Sequence, residues 1–266
     1  MTRDTEADVA RRALAVNQAN LMLGNETFTA EGATFVRDTA YPSIYDANHV
    51  ANVTAATPDE IERLLARVEV EYAHARHRAF HTDFLTPPTF EARLQLDGYD
   101  ASNALVMLLE GDLRSVAGPC DIRAVESEAA WAAFFELNKH DWSEHAARTG
   151  ATGGEPVGVD LARTQVRKWP PVRYWLAYAD GEPRGYFNAW EGVNGIGQVE
   201  NLFVQSDYRH RSLATALIHH CVADARAHGA GPVVIVADAS DTPKNMYAAM
   251  GFRPVAVKRS YLKRLA

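Results

Sequence analysis

Two cysteines in 266 residues, Cys120 and Cys221, are too few for a disulfide framework, and that scarcity fits a reducing cytosol. No uninterrupted apolar run approaches the roughly 20 residues a bilayer-spanning helix needs. The opening residues, MTRDTEADVARRALAVNQAN, are charged and lack the apolar stretch of a secretion signal. Positive charge is also short. With 27 Lys and Arg against 34 Asp and Glu the net charge is −7, which argues against nucleic acid or an anionic membrane as partner and weakly favours a cationic acceptor such as an amine. Neither a G-x-G-x-x-G run nor a P-loop lysine motif occurs, so a nucleotide-binding α/β protein is set aside. The ten histidines supply no familiar metal spacing. His74, His77 and His81 lie close in sequence without a cysteine or carboxylate pattern to complete a site, and adjacent His219 and His220 point to different faces of a helix. No metal is expected. What remains is a soluble cytoplasmic chain, 47% hydrophobic and 23% charged, long enough for one large domain or two modest ones.

The second half alternates strand and helix signals. Residues 120–125 (CDIRAV) read as a strand, and a helix starts near Ser127 and runs to about His145. The glycine-rich ARTGATGGEPVG that follows reads as a loop. Residues 173–179, 184–190 and 197–204 form three strand patterns joined by DGEP and EGVNGIG, an antiparallel meander. A helix over 212–228 closes at Gly229, the continuously apolar VVIVA (233–237) reads as a strand buried on both faces, and a short helix (244–250) and a final strand (253–262) complete the half. This order predicts an α/β fold of the α+β type, with a mixed, mostly antiparallel central sheet flanked by helices. In the first half, 33–38, 49–53, 78–83 and 103–109 read as strands. Helices are expected over 57–76, opened by Pro58 and acids, and over 89–96. Both halves then share one order: strand, long helix, short strand ending in Asp (Asp83; Asp238), short helix, Gly-aromatic (Gly98-Tyr99; Gly251-Phe252), strand. A duplication is expected, with domains 1–118 and 119–266.

The informative stretch is VENLFVQSDYRHRSLAT (199–215), a strand running into a short basic turn that opens a helix. Unpaired backbone N–H groups and the positive dipole end at such a turn favour phosphate, and Arg209 and Arg211 add charge while Ser212 and Ala214 are small. A surface helix start with Ser212 as its N-cap reads equally well from this segment alone. In its surroundings the segment resembles the acyl-CoA N-acyltransferases of the GNAT superfamily. Their signature, Arg/Gln-x-x-Gly-x-Gly/Ala after a strand, is similar to Arg209-His210-Arg211-Ser212-Leu213-Ala214, and Asn245-Met246-Tyr247-Ala248-Ala249-Met250-Gly251-Phe252 resembles the family's tyrosine-helix-Gly-Phe signature. The resemblance covers nearly all of 120–266. It departs at Ser212, where the family has glycine and where serine requires helical dihedrals, and at Ser240, where the family often has asparagine.

The resemblance implies a duplicated GNAT fold, with acetyl-CoA as donor substrate and a small-molecule or peptide amine as acceptor, in a monomer or homodimer. Leu202, Phe203 and Val204 would carry the pantetheine arm, Arg209, His210, Arg211, Ser212, Leu213, Ala214 and Thr215 the pyrophosphate, Ser240 stands where one hydrogen bond to the donor's arm would be made, and the Tyr247 hydroxyl would lie near the CoA sulfur. Tyr247 would protonate the leaving thiolate; otherwise it is a buried tyrosine bonded to backbone. Glu200, a charge in an apolar strand, is either the base that takes the amine proton or the partner of Arg184 or Arg173. A backbone N–H of Phe203 or Val204 would meet the oxyanion. Cys221 is core. A catalytically inactive acyl-CoA-binding or sensor module is the competing reading. The turn matching 209–214 in the first half, TAATPDE (54–60), has no arginine and opens on acids, and Leu94 stands where Tyr247 would, so the N-terminal copy is expected to bind no CoA.

Overall fold

The computed structural model describes residues 5–150 and 154–265. The chain divides into two compact units that are not consecutive stretches of sequence. One gathers Met1–Met107, Val236–Lys244 and Pro254–Ala266, the other Leu108–Ile235 and Asn245–Arg253.

In the first unit, helix α1 (Glu6–Met22) starts at Thr5, whose side chain accepts the Asp8 N–H at 3.2 Å. Strands β1 (Glu26–Ala30) and β2 (Ala33–Arg37) form a hairpin, β3 (His49–Ala51) follows, and helix α2 (Pro58–Glu71) crosses to β4 (His77–Thr82). Helix α3 (Pro88–Leu96) and β5 (Asp100–Leu109) come next. The C-terminal strand β11 (Arg253–Arg264) runs antiparallel to β4, so this unit's strand order is β1-β2-β3-β4-β11-β5. The expected strands and helices of this half are all present, while α1 and β1 are additions. Helix α2 begins with a full capping box: Thr57 accepts from Glu60, and the Glu60 carboxylate accepts from the Thr57 and Ala56 N–H groups at 2.9 and 3.0 Å. Its Ile61, Leu64 and Val68, at helical spacing, meet Phe35, Phe80, Phe90, Leu94 and Tyr261 in one core. Leu94 thus packs as core.

The second unit opens with β6 (Asp121–Ala124) and α4 (Glu128–Thr149), capped by Ser127 at one end and by left-handed Gly150 at the other. The glycine-rich segment expected to be a loop is mostly helix: α4 runs on to Thr149, and α5 spans Gly154–Val166. Residues 151–153 lie outside the described residues. Gly158 explains the difference, because a Cβ there would sit 2.9 Å from Asn138 O and 3.0 Å from Trp142 Cβ on α4. It is a close-approach glycine inside a helix rather than a turn. Strands β7 (Arg173–Ala179), β8 (Glu182–Val193) and β9 (Ile196–Val204) make the expected antiparallel meander with β6. Helix α6 (Leu213–Ala227) leads to β10 (Val233–Asp238), which starts parallel to β9 with Val233 beside Gly197. Helix α7 (Pro243–Ala249) ends next to Gly251. Phe134 of α4 packs its ring 5.1 Å from both Tyr174 and Tyr186, while Trp175, one residue on, meets His220 of α6 at 4.1 Å. The meander therefore carries α4 on one face and α6 on the other. No helix among the described residues is long and apolar enough to cross a membrane.

Candidate active site

The site grows from the end of β9. Opposite β8 the register pairs Asn188 with Glu200 and Tyr186 with Phe203, so β9 holds one extra residue between those pairs. Asn201 absorbs the bulge with φ of +62°, a left-handed conformation that asparagine tolerates better than most residues. A bulge unpairs backbone groups and turns side chains out of the ladder, and here it separates Glu200 from Leu202, Phe203 and Val204.

Beyond β9 the turn 209–212 is held by its own arginine. Arg209 Nε donates to Val204 O at 3.0 Å and its guanidinium pairs with Glu144 of α4. Arg211 is exposed, 3.8 Å from Asp180 and 4.8 Å above the Tyr208 ring. His210 and Ser212 both have positive φ, +61° and +66°. Ser212 is therefore left-handed, and the helical dihedrals expected of a serine there are not what the chain adopts. Alternating hands of backbone turn successive N–H groups toward one side, the arrangement that binds anions. Nor does Ser212 act as the cap it could have been: α1, α2 and α4 each begin with a hydroxyl accepting an early N–H, whereas α6 has no side-chain cap. The first-turn N–H groups of Leu213, Ala214 and Thr215 thus follow Arg209 and Arg211 in sequence with no hydroxyl folded over them.

Glu200 is half-buried and accepts a hydrogen bond from Gln198 Nε2. The arginines that could have claimed it are engaged elsewhere. Arg173 reaches Glu191 at 2.8 Å and Asp224 at 2.7 Å, and Arg184 donates to Gln205 and lies over the Tyr208 ring. Register places Tyr174, Asn188 and Glu200 side by side on the α4 face, with Gln198 two residues before Glu200 on the same face. Asn188 and Gln198 are buried, and their side-chain oxygens Oδ1 and Oε1 have no donor among the described residues. Burial, then the Glu200 charge, raises the Tyr174 hydroxyl well above its ordinary pKa. On the same face Tyr186 donates to Asp141 of α4 at 2.7 Å, and burial raises the Asp141 carboxyl as well.

Tyr247 of α7 is buried, with its ring set edge-on to Phe252 at 6.2 Å and its carbonyl accepting the Phe252 N–H. Cys221 is fully buried and its thiol is pushed up by that burial, as a core residue should be. The structure thus collects the strand end, the turn and the tyrosine helix within the second unit. Ser240 belongs to the first unit, and its hydroxyl donates to Asp238 at 2.6 Å. Sequence reasoning passed over Asn188, Gln198 and Asn201. Asn201 alone carried a signal, an asparagine inside the otherwise apolar NLFV. Among the described residues no three metal-ligating side chains gather.

An antiparallel meander, a strand that bulges at its end, a basic turn opening a helix and a parallel strand beyond it make up the α/β domain of the second unit. Residues 128–252 match the acetyltransferase (GNAT) family. No match was found among curated proteins. Solved structures share the fold along most of the chain. A GCN5-related N-acetyltransferase from Kribbella flavida is 16% identical with a TM-score of 0.68, over 96% of this chain and 95% of its own. A conserved protein of unknown function from Staphylococcus epidermidis is also 16% identical with a TM-score of 0.68, covering 91% of this chain and 95% of its own. A tandem GNAT protein from the clavulanic acid biosynthesis pathway is 13% identical with a TM-score of 0.58, covering 96% of both chains.

Proposed function

We propose that the second unit transfers an acetyl group from acetyl-CoA to a primary amine of a small molecule or peptide, by direct attack in a ternary complex. The observation that carries this reading is the start of α6, which has left-handed residues at His210 and Ser212, two arginines and no side-chain cap. Such a helix start offers N–H groups and positive potential to a pyrophosphate. Leu202 to Val204 would lie along the pantetheine arm beside the bulge. The acceptor side is supported by a row of hydrogen-bond acceptors, the Glu200 carboxylate with the undonated oxygens of Asn188 and Gln198, which suits an amine that brings N–H groups and arrives as a cation.

In this mechanism Glu200 takes the proton from the attacking amine, directly or through water. The nitrogen adds to the thioester carbonyl, and a backbone N–H of Phe203 or Val204 receives the oxyanion. As the C–S bond breaks, Tyr247 gives its proton to the departing thiolate. No covalent enzyme intermediate forms, so Cys221 has no part. Residues 1–118 and 119–266 are read as tandem copies that share a plan, a reading supported by the full-length likeness to a tandem protein. Ser240, engaged with Asp238, is the weakest member of the donor set.

Incubating the protein with acetyl-CoA and a panel of amines, with mass spectrometry of the products, tests the reading. Acetylation of at least one amine is expected, and CoA binding without turnover on any amine would favour a sensor module instead. Tyr247→Phe should keep fold and donor affinity while lowering turnover about 10²- to 10⁴-fold. Unchanged turnover would assign the proton to another group.

A further inference from the structure

Between β5 and β6 the chain crosses α6, and every residue of that crossing belongs to the second unit. Arg226 Nη2 donates to Gly111 O at 2.6 Å, and its guanidinium lies 3.6 Å from Asp112. Further along, Ser115 Oγ and His219 Nε2 are 3.0 Å apart, and a Cβ placed on Gly118 would lie 3.9 Å from the Ser212 Cβ. The helix residues 226, 219 and 212 are each about two turns apart, so they form one stripe. The buried residues Leu217, Cys221 and Ala225 lie on the opposite side of α6. Residues 111–118 are therefore a strap along the outer side of the helix, running from its C-terminal end to its N-terminal turn. The Arg114 N–H, donating to Met250 O at 3.0 Å, ties the strap to the end of α7 as well.

Gly118 is the informative residue of the strap. Elsewhere a glycine answers a need of the fold. Gly251 has φ of +109°, and a Cβ on Gly158 or Gly197 would come within 2.9 or 2.7 Å of a neighbouring atom. Gly118 meets neither condition. Its φ is not left-handed, and among the described residues a Cβ on it would meet the Ser212 Cβ alone, at an ordinary van der Waals distance. Gly111 is as unconstrained, but a Cβ there has nothing within 4 Å, whereas a Cβ on Gly118 would point at the start of α6. A longer side chain at Gly118 would extend over Ser212, whose hydroxyl caps none of the first-turn N–H groups. The fold itself tolerates such a side chain; an anion seated on the N–H groups of Leu213, Ala214 and Thr215 would collide with it.

We propose that the strap is the second wall of the donor site and that Gly118 is a donor-binding residue, its missing side chain leaving the room in which the CoA pyrophosphate closes on the α6 turn. The inference rests on the reading of α6 as the phosphate turn, and it extends that site to a segment well outside the Arg209–Thr215 signature. Close approach of backbone to a ligand is one of the uses of glycine. The anchors at Gly111, Arg114 and Ser115 hold the strap against α6 and the end of α7, so Gly118 is presented to the turn by a fixed segment.

The test titrates CoA into the full-length protein and its Gly118→Ala and Gly118→Val variants by calorimetry, beside melting curves with and without CoA. Melting temperatures without CoA should stay with the parent, while affinity falls with side-chain size, at least tenfold for Gly118→Val. The CoA-induced rise in melting temperature should shrink in step, since a ligand stabilises the folded state by mass action. Parent-like affinity in Gly118→Val would overturn the proposal and make Gly118 an ordinary connecting glycine. So would a variant that melts lower or fails to fold, because the glycine would then serve the fold. A parent that binds no CoA would instead remove the phosphate turn on which the inference rests, an outcome that no Gly118 variant can mimic.

Discussion

At Ser212 a side chain occupies backbone territory that favours glycine. Its φ of +66° carries a penalty of about 1–2 kcal/mol for an L-residue with a Cβ, and its hydroxyl makes no capping bond in return. Ser212→Gly should therefore raise stability, by up to about 1 kcal/mol once glycine's larger unfolded-state entropy is subtracted. It should also tighten CoA binding by clearing bulk from the phosphate turn. Calorimetric melting and CoA titration measure both, and a less stable glycine variant would mean that the serine side chain holds the turn. Asp141 makes a different case. Burial raises its carboxyl, so the folded state resists ionisation more than the unfolded chain, whose Asp titrates near pH 3.9. Stability is then fullest in acid, where both states keep the proton, and falls as pH climbs from the unfolded value through the raised native one. Asp141→Asn removes that loss while still accepting from Tyr186. The variant should match the parent below about pH 4 and melt higher at neutral pH. Melting curves at the two pH values decide it, and a variant less stable at neutral pH would show that the ionised carboxylate earns its place through Arg209 or His145.

At the scale of elements, the same logic separates what the residue pattern revealed from what it concealed. The meander β7–β8–β9 was legible because its strands are short apolar runs bounded by DGEP and by glycine turns. The start of α2 was legible because Thr-Pro-Asp-Glu is a capping sequence, and the helix begins at Pro58. Helix α5 was hidden, since the glycine that reads as a loop residue is the one that lets α5 lie against α4. Helix α1 was hidden because Asn17 and Asn20 are buried in it, which blurs its apolar stripe. At the site, the basic turn could be read from composition, but the left-handed serine could not, because nothing in a serine announces φ above zero. The polar row of Asn188 and Gln198 was invisible for a related reason: it depends on register across two strands. Gly158 turns this into a test. A Cβ there would meet the α4 backbone, 2.9 Å from Asn138 O and 3.1 Å from Lys139 Cα, and neither atom yields as a flexible side-chain tip would. Gly158→Val should cost about 1–3 kcal/mol of stability through forced separation of the two helices. Urea unfolding measures it, and a neutral outcome would mean that α5 shifts freely on α4.

Across the whole molecule one pattern occurs twice, a strand crossing through a helix to a parallel neighbour: β3–α2–β4 and β9–α6–β10. The two crossovers differ at the helix start, and that difference predicts the stoichiometry of donor binding. At α2 an anion is already in place. The Glu60 carboxylate accepts the Ala56 and Thr57 N–H groups, and those backbone bonds hold its pKa down to about 2. The helix's positive end is satisfied by its own chain, and a pyrophosphate brought there would meet Asp59, Glu60 and Glu62. At α6 no such internal anion caps the first turn, and Arg209 and Arg211 supply charge of the attractive sign. One acetyl-CoA should therefore bind per chain, at α6. Arg211→Glu should weaken that binding more than tenfold, about 1.4 kcal/mol or more, by setting a carboxylate beside the phosphates. Calorimetric titration of the full-length protein reads both quantities at once. Two sites per chain, or a single site indifferent to Arg211→Glu, would place donor binding at α2 or elsewhere and undo the assignment of α6 as the phosphate turn.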